Sequence, residues 1–363
     1  MPTIDSRVIT TIGTDAGETV VANFTGPIAP DTTYNLTFNF NGNGGDDRFT
    51  FKLADYALTS GEISGNFKGG AGVDTFEIDL DGATEVTSSA TYAGTTLKSV
   101  SYGFVKDGLY GTFTADSTVE RMVIKGTAAD ETYYGSAGDD WFDGRGGADT
   151  FFGSAGNDGY VITSAGAYVV GEKTGGGTDT IWSTVSIDLR EQGAVENLRL
   201  MGTGAYPGNA ICNQLANLIT GNSADNIIAG GTGVDKLYGK GGADTFYFAE
   251  KGAANRDTIF DFDDNDHISL SSSAFGGLAS VGGVLADSAF STTVSIVDPM
   301  VLIVLARTFF FRFCARWSRL PIASTATLCR PTSFPFPVFP ATAERKRSLP
   351  ARRPMCPATS RRA

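Results

Sequence analysis

Large apolar residues recur at every ninth position through two stretches of the chain, and the residues between them are small, polar or acidic. Residues 126–161 divide into GTAADETYY, GSAGDDWFD, GRGGADTFF and GSAGNDGYV, and residues 221–247 into GNSADNIIA, GGTGVDKLY and GKGGADTFY. Each unit opens on small or Gly-rich residues, carries an acid or Asn at its sixth position, and places a large apolar residue at its eighth. A Gly-rich half-unit makes a tight turn because it reaches positive φ without a Cβ clash. The triplet around the apolar residue is a minimal strand with a single inward side chain. The pattern therefore predicts Tyr133, Phe142, Phe151, Tyr160, Ile228, Leu237 and Phe246 as core. Two units make one coil, with a strand on each side and a turn at each end.

Turns two units apart then lie side by side, and their sixth-position residues face one another about 4.8 Å apart, one strand spacing. That register pairs Asp140 with Asp158, Glu131 with Asp149 and Asn226 with Asp244. Extended back one unit to CNQLANLIT at 212–220, it pairs Asn217 with Asp235. Like charges so placed repel unless a cation lies between them. Carboxylate and carbonyl oxygens are hard ligands that suit Ca²⁺ at about 2.3–2.6 Å. Calcium, several ions per chain, is the expected cofactor, and the chain is expected to need it in order to close.

The unit G-G-x-G-x-D-x-U-x resembles the nonapeptide of the RTX (hemolysin-type) calcium-binding repeat proteins of bacteria. The resemblance implies an all-β fold, a parallel β-roll, in which backbone carbonyls of the turns complete each ion site. In the first block those carbonyls belong to Ser136, Gly138, Arg145, Gly147, Ser154 and Gly156. In the second they belong to Gly231, Gly233, Lys240 and Gly242. Between the blocks, GGTDTIWSTVSIDLREQGAVENLRLMGTGA looks like the spacer that joins nonapeptide blocks in RTX proteins, and its short apolar runs read as further strands. The segment DTIFDFDDNDHISLSSSAF at 257–275 is similar to the closing segment of serralysin-type secreted metalloproteases. This implies a cap on the open end of the stack and an ion-binding part for Asp257, Asp261 and Asp263.

The first 125 residues carry weaker versions of the same unit. The starts of GNGGDDRFT at 42–50 and GGAGVDTFE at 69–77 are separated by three nonapeptide periods. An odd number of units places Asp47 and Asp74 on opposite edges, each without an acidic partner, and hence as weak calcium sites at best. The expected organisation is a degenerate β-rich region at 1–125 and a first calcium block at 126–161. A β spacer at 162–211 follows, then a second block with its cap at 212–290, and a basic Pro/Arg-rich tail at 291–363.

Charge sets the tail apart. From residue 300 onward there are 12 basic residues and one acid, Glu344, which leaves 16 basic and 39 acidic residues in 1–299, a net of +11 against −23. With eight prolines, the tail reads as disordered, as unable to extend the roll, and as a frameshifted terminus rather than an evolved domain. Its apolar run is broken by Arg307 and Arg312, well short of the roughly 20 apolar residues that a spanning helix needs, which argues against the membrane as a partner. The acidic body argues against nucleic acid. The start MPTIDSRVIT shows no charged-then-apolar leader. That fits the RTX resemblance, which implies an extracellular or cell-surface location and type I export through a C-terminal signal, given an intact signal; the basic tail does not resemble the family's signal-bearing end.

Catalytic chemistry is sparse. The single histidine, His267, excludes a HExxH zinc site, and Cys212 stands alone in the body, so no disulfide framework is implied. The expected function is calcium binding with calcium-induced folding and no catalysis. Two alternatives remain open: the repeat-bearing portion of a secreted hydrolase or polysaccharide-modifying enzyme, and a surface adhesin or matrix component. The protein or polysaccharide partner is not fixed by the sequence.

Overall fold

The computed structural model describes residues 3–22, 32–58, 60–169, 172, 175–202, 208–271 and 273–275, and the two-residue strands Val284–Leu285, Val304–Leu305 and Ala326–Thr327. Among the described residues there is no α-helix; three short 3-10 turns interrupt a succession of strands. One parallel sheet runs the length of the stack. Its order is Thr19–Val21, Arg48–Lys52, Thr75–Asp79, Arg121–Lys125, Trp141–Asp143, Gly159–Ile162, Thr180–Ser183, Asn197–Leu200, Leu218–Thr220, Lys236–Tyr238, Thr258–Ile259 and Val304–Leu305. Three shorter sheets form the other wall, with six, three and five strands in turn. The chain is an all-β parallel β-roll.

The nonapeptide period produces this wall directly. Trp141 pairs with Gly159 and Leu218 with Lys236, in each case the equivalent position two nonapeptides further on. Each short strand sends one side chain inward, and the inward residues form a continuous column. Phe142 stacks on Tyr160 with ring centroids 5.7 Å apart, and Tyr133 on Phe151 at 5.4 Å. Tyr133, Phe142, Phe151, Tyr160, Ile228, Leu237 and Phe246 are all buried. Burial of such a side chain is worth about 1.5–3 kcal/mol, so one apolar residue per triplet sustains the wall. The spacer continues it through Ile181 and Leu198, both buried, at slightly irregular intervals.

The N-terminal region departs from the nonapeptide reading. Phe49 pairs with Phe76 and Asn39 with Asn66, so three nonapeptide periods make one coil rather than one and a half. The reason is strand length. Thr32–Gly44 and Gly61–Ala71 have 13 and 11 residues, and the 3-10 turn Leu53–Asp55 with its following loop returns the chain without a second carboxylate turn. Strict alternation buries one face of these long strands, as TYNLTFNF predicts. The next coil is longer still, because the antiparallel hairpin Glu85–Ala93 and Thr96–Lys106 is inserted and moves the partner of Phe76 to Met122.

Asp47 and Asp74 therefore stack on the same edge, contrary to the expectation of opposite edges. In the tail, Val304–Leu305 lies parallel to Thr258–Ile259 at the end of the long sheet. This is an exception to the expectation that the tail adds no strand. The rest of 276–363, apart from the strand pair Val284–Leu285 and Ala326–Thr327, lies outside the described residues, as does its expected disorder.

Candidate metal centres

In the long sheet the residue just before almost every strand is an acid. These residues form a ladder along one edge, in which the backbone N–H of one rung donates to the side-chain oxygen of the next. Asp140 donates to Asp158 Oδ1 at 2.8 Å and Asn217 to Asp235 Oδ1 at 2.8 Å. On the opposite edge Glu131 donates to Asp149 Oδ1 at 3.0 Å and Asn226 to Asp244 Oδ1 at 2.8 Å. All four pairs drawn from the sequence are brought together.

The ladder reaches well beyond the nonapeptides. Upstream, Glu18 donates to Asp47 Oδ1 at 2.8 Å, Asp47 to Asp74 Oδ1 at 2.9 Å, and Asp74 to Glu120 Oε2 at 2.9 Å. Downstream, Asp158 donates to Asp179 Oδ1 and Asp179 to Glu196 Oε2, both at 2.8 Å. At the closing end Asp235 donates to Asp257 Oδ1 and Asp244 to Asp266 Oδ1, both at 3.0 Å. Glu18, Glu120, Asp179, Glu196 and Asp266 escaped the sequence reading. Their signal was an acid one residue before a short apolar strand, as in DTIWS and ENLRL, without the glycines that mark a nonapeptide.

At several rungs one oxygen is left over, whereas both oxygens of Asp140 accept hydrogen bonds from Ser136 and Met122. The Oδ2 atoms of Asp47, Asp74, Asp158, Asp179 and Asp235 and the Oδ1 of Asn217 are buried and accept no hydrogen bond. Buried polar atoms are almost always partnered, so a row of such oxygens is the strongest local argument for a cation. Electrostatics agrees. In the metal-free protein, burial, opposed in part by the rung hydrogen bonds, pushes Asp149 and Asp244 up to about 7, Asp140 to about 8 and Asp158 to about 9. Burial likewise raises Asp179, Asp235 and Asp257. Each proton held there marks a position where positive charge is favoured.

The turns fall into two kinds. At Arg145, Ser154, Gly231 and Lys240 the second residue has positive φ, between 62° and 88°, and the fourth residue, Gly147, Gly156, Gly233 or Gly242, does too. At Thr127, Ser136, Asn213 and Asn222 the second residue instead folds its side chain back onto the turn. Gly138 N–H donates to Ser136 Oγ, Ala224 N–H to Asn222 Oδ1, and Leu215 N–H to Asn213 Oδ1. Each block thus starts with two closed turns, one per edge, and continues with two open ones.

The closed turns also reach toward the preceding coil. Ser136 Oγ donates to the Glu120 carbonyl at 2.5 Å. Asn217 Nδ2 donates to the carbonyls of Val195 and Glu196, and Asn226 Nδ2 to that of Gly208 at 2.8 Å. A hydroxyl or amide donor closes the gap there, so Asn217 and Asn226 offer at most their Oδ1 to an ion. Ser136 and Gly138 lie in a closed turn, and the Arg145 carbonyl already accepts the Thr163 hydroxyl. In the cap, Asp261 accepts the N–H groups of Gly239 and Lys240 at 2.8 and 2.9 Å. Asp263 only shapes a local turn with Asn265 and Asp266.

Residues 125–160 and 214–249 match the family of RTX calcium-binding nonapeptide repeats, a four-copy unit in each case. No curated protein matches the chain. The match covers the two repeat blocks, well under half of the chain, and these blocks are RTX calcium-binding repeats. The candidate donor set agrees with that ion: the side-chain atoms left unpartnered along the edge, at Asp47, Asp74, Asp158, Asp179, Asn217 and Asp235, are all oxygens.

Proposed function

We propose that this chain is a secreted or surface-displayed calcium-binding protein that acts by binding rather than by catalysis, and that it folds on its ion. The observation that carries the reading is the set of buried carboxylate oxygens without partners along one edge, at Asp47, Asp74, Asp158, Asp179 and Asp235. Calcium sits between successive rungs, with Asp149, Asp158, Asp235 and Asp244 as the principal side-chain ligands and the open turns at Arg145–Gly147, Ser154–Gly156, Gly231–Gly233 and Lys240–Gly242 supplying carbonyls. Asp47 and Asp74 form a third, N-terminal group of sites. Extracellular calcium modules bind with dissociation constants of about 10⁻⁴–10⁻³ M, so the chain stays open where calcium is scarce and closes where it is abundant. Metal binding then supplies folding free energy.

The setting of the single histidine favours binding over chemistry. His267 is exposed at the start of the strand His267–Leu270, and its backbone N–H pairs with the Asp244 carbonyl. The continuous stack favours a calcium-stiffened binding or matrix module over a hydrolase. The test is circular dichroism during calcium titration of chelated protein. A cooperative rise of strand signal at millimolar calcium, with magnesium a poor substitute, is expected; identical spectra with and without calcium refute the reading.

A further inference from the structure

We infer that the junction between the first repeat block and the spacer is itself a calcium site, built from Asp158, Glu172 and Asp179 and lying largely outside the repeats. Gly159 pairs with Thr180, a longer interval than the two nonapeptides that separate Trp141 from Gly159. The enlarged turn brings in a third carboxylate that no nonapeptide carries. One carboxylate oxygen from each of the three lies within 4.8 Å of the others. That is the span of two oxygens on opposite sides of one calcium ion, twice about 2.4 Å.

The second observation is independent of the cluster. Asp158, Glu172 and Asp179 are 1, 8 and 0 % exposed, and the Oδ2, Oε2 and Oδ2 atoms of the three are buried and accept no hydrogen bond. Their other oxygens are engaged. Asp158 Oδ1 accepts from Asp140 and Asp179 Oδ1 from Asp158, both at 2.8 Å, and Glu172 Oε1 takes the Tyr160 hydroxyl. Each side chain is therefore fixed through one oxygen and leaves the other for an ion. Three carboxylates so close cannot all stay ionised in a buried site unless a cation lies among them. At extracellular pH and millimolar calcium, a hard divalent ion that takes 6–8 oxygen ligands meets the need. The ion would tie the spacer to the first block, so the ladder is continued by metal where the nonapeptide pattern ends.

The inference rests on the calcium reading above, and its test separates the two. Calcium bound per full-length chain is counted by equilibrium dialysis and elemental analysis for the wild type and for Glu172→Gln, which keeps an acceptor for the Tyr160 hydroxyl. One ion fewer in the variant, with strand signal retained, is the expected result. An equal count in both overturns the site; a wild type that binds no calcium overturns the calcium reading as a whole. Calcium anomalous density in crystals of the wild type decides the matter even if the variant does not fold. A peak among the three carboxylates supports the site, and peaks at the repeat turns with none here refute it.

Discussion

Gly144 begins its unit with ordinary φ, so its role is not a turn that other residues could not make. A Cβ built there would lie 2.0 Å from Asp149 Oδ2, the oxygen left over by the rung. The glycine is the floor on which the carboxylate rests, five residues ahead of the acid. Gly144→Ala should therefore destabilise the calcium-loaded protein by about 1–3 kcal/mol, the usual effect of overpacking, and weaken calcium binding at that turn. Gly241, with nothing within 4 Å of its Cβ, is the control, and Gly241→Ala should be close to neutral. Equal losses in thermal melts of the two variants would refute the account.

Protonation belongs to the same scale. The folded-state values of Asp149, Asp140 and Asp158, about 7, 8 and 9, lie above the unfolded carboxylate value of about 3.9. Between those limits the folded metal-free chain binds more protons than the unfolded one, so its stability falls as pH rises. In chelator, the residual strand signal in circular dichroism should therefore be largest near pH 5 and fall toward pH 9. Calcium replaces the protons, so apparent calcium affinity should rise over the same window. A chelated protein that gains strand signal toward pH 9 would contradict the burial of these groups.

At the scale of the turn, the same four letters take two forms. GSAG at 135–138 is closed, with Ser136 bonded to the Glu120 carbonyl, whereas GSAG at 153–156 is open, with Ser154 at φ 88°. The difference lies in the coil beneath, which the local sequence does not contain. The register of the blocks was legible because acid and apolar phases agree unit after unit. The longer N-terminal coil was legible too, in NFNGNGGDDRFTF at 39–51 and NFKGGAGVDTFEI at 66–78, but division by nine hid it. Asp179 and Glu196 were obscured for another reason: loops of irregular length break the period while strand pairing restores the stack.

Asn226 tests the closed turns. Its amide supplies a donor to Gly208 O and to Asn222 Oδ1, and Asn226→Asp removes both while adding charge beside Asp244. At limiting calcium the variant should lose about 1–3 kcal/mol through the unpaired acceptors. Its gain in melting temperature from limiting to saturating calcium should exceed that of the wild type. An unchanged gain would mean that the amide does not stand in for a cation.

For the whole molecule, the unequal coils have a mechanical consequence. A chain held by its ends and pulled along the stack peels one coil at a time, and each coil releases its own contour length, at about 3.4 Å per residue. Two-nonapeptide coils, as from Trp141 to Gly159, release about 60 Å, and the coil from Phe49 to Phe76 about 90 Å. The coil from Phe76 to Met122, which carries the hairpin, releases about 155 Å. Force spectroscopy in calcium should therefore give extension steps of at least three sizes, with the rupture force of the short steps falling when the ion is chelated. A single step size would mean that the coils do not yield independently. The fold is in this sense a graded tether, whose successive lengths are written into its coils and whose grip is set by the calcium around it.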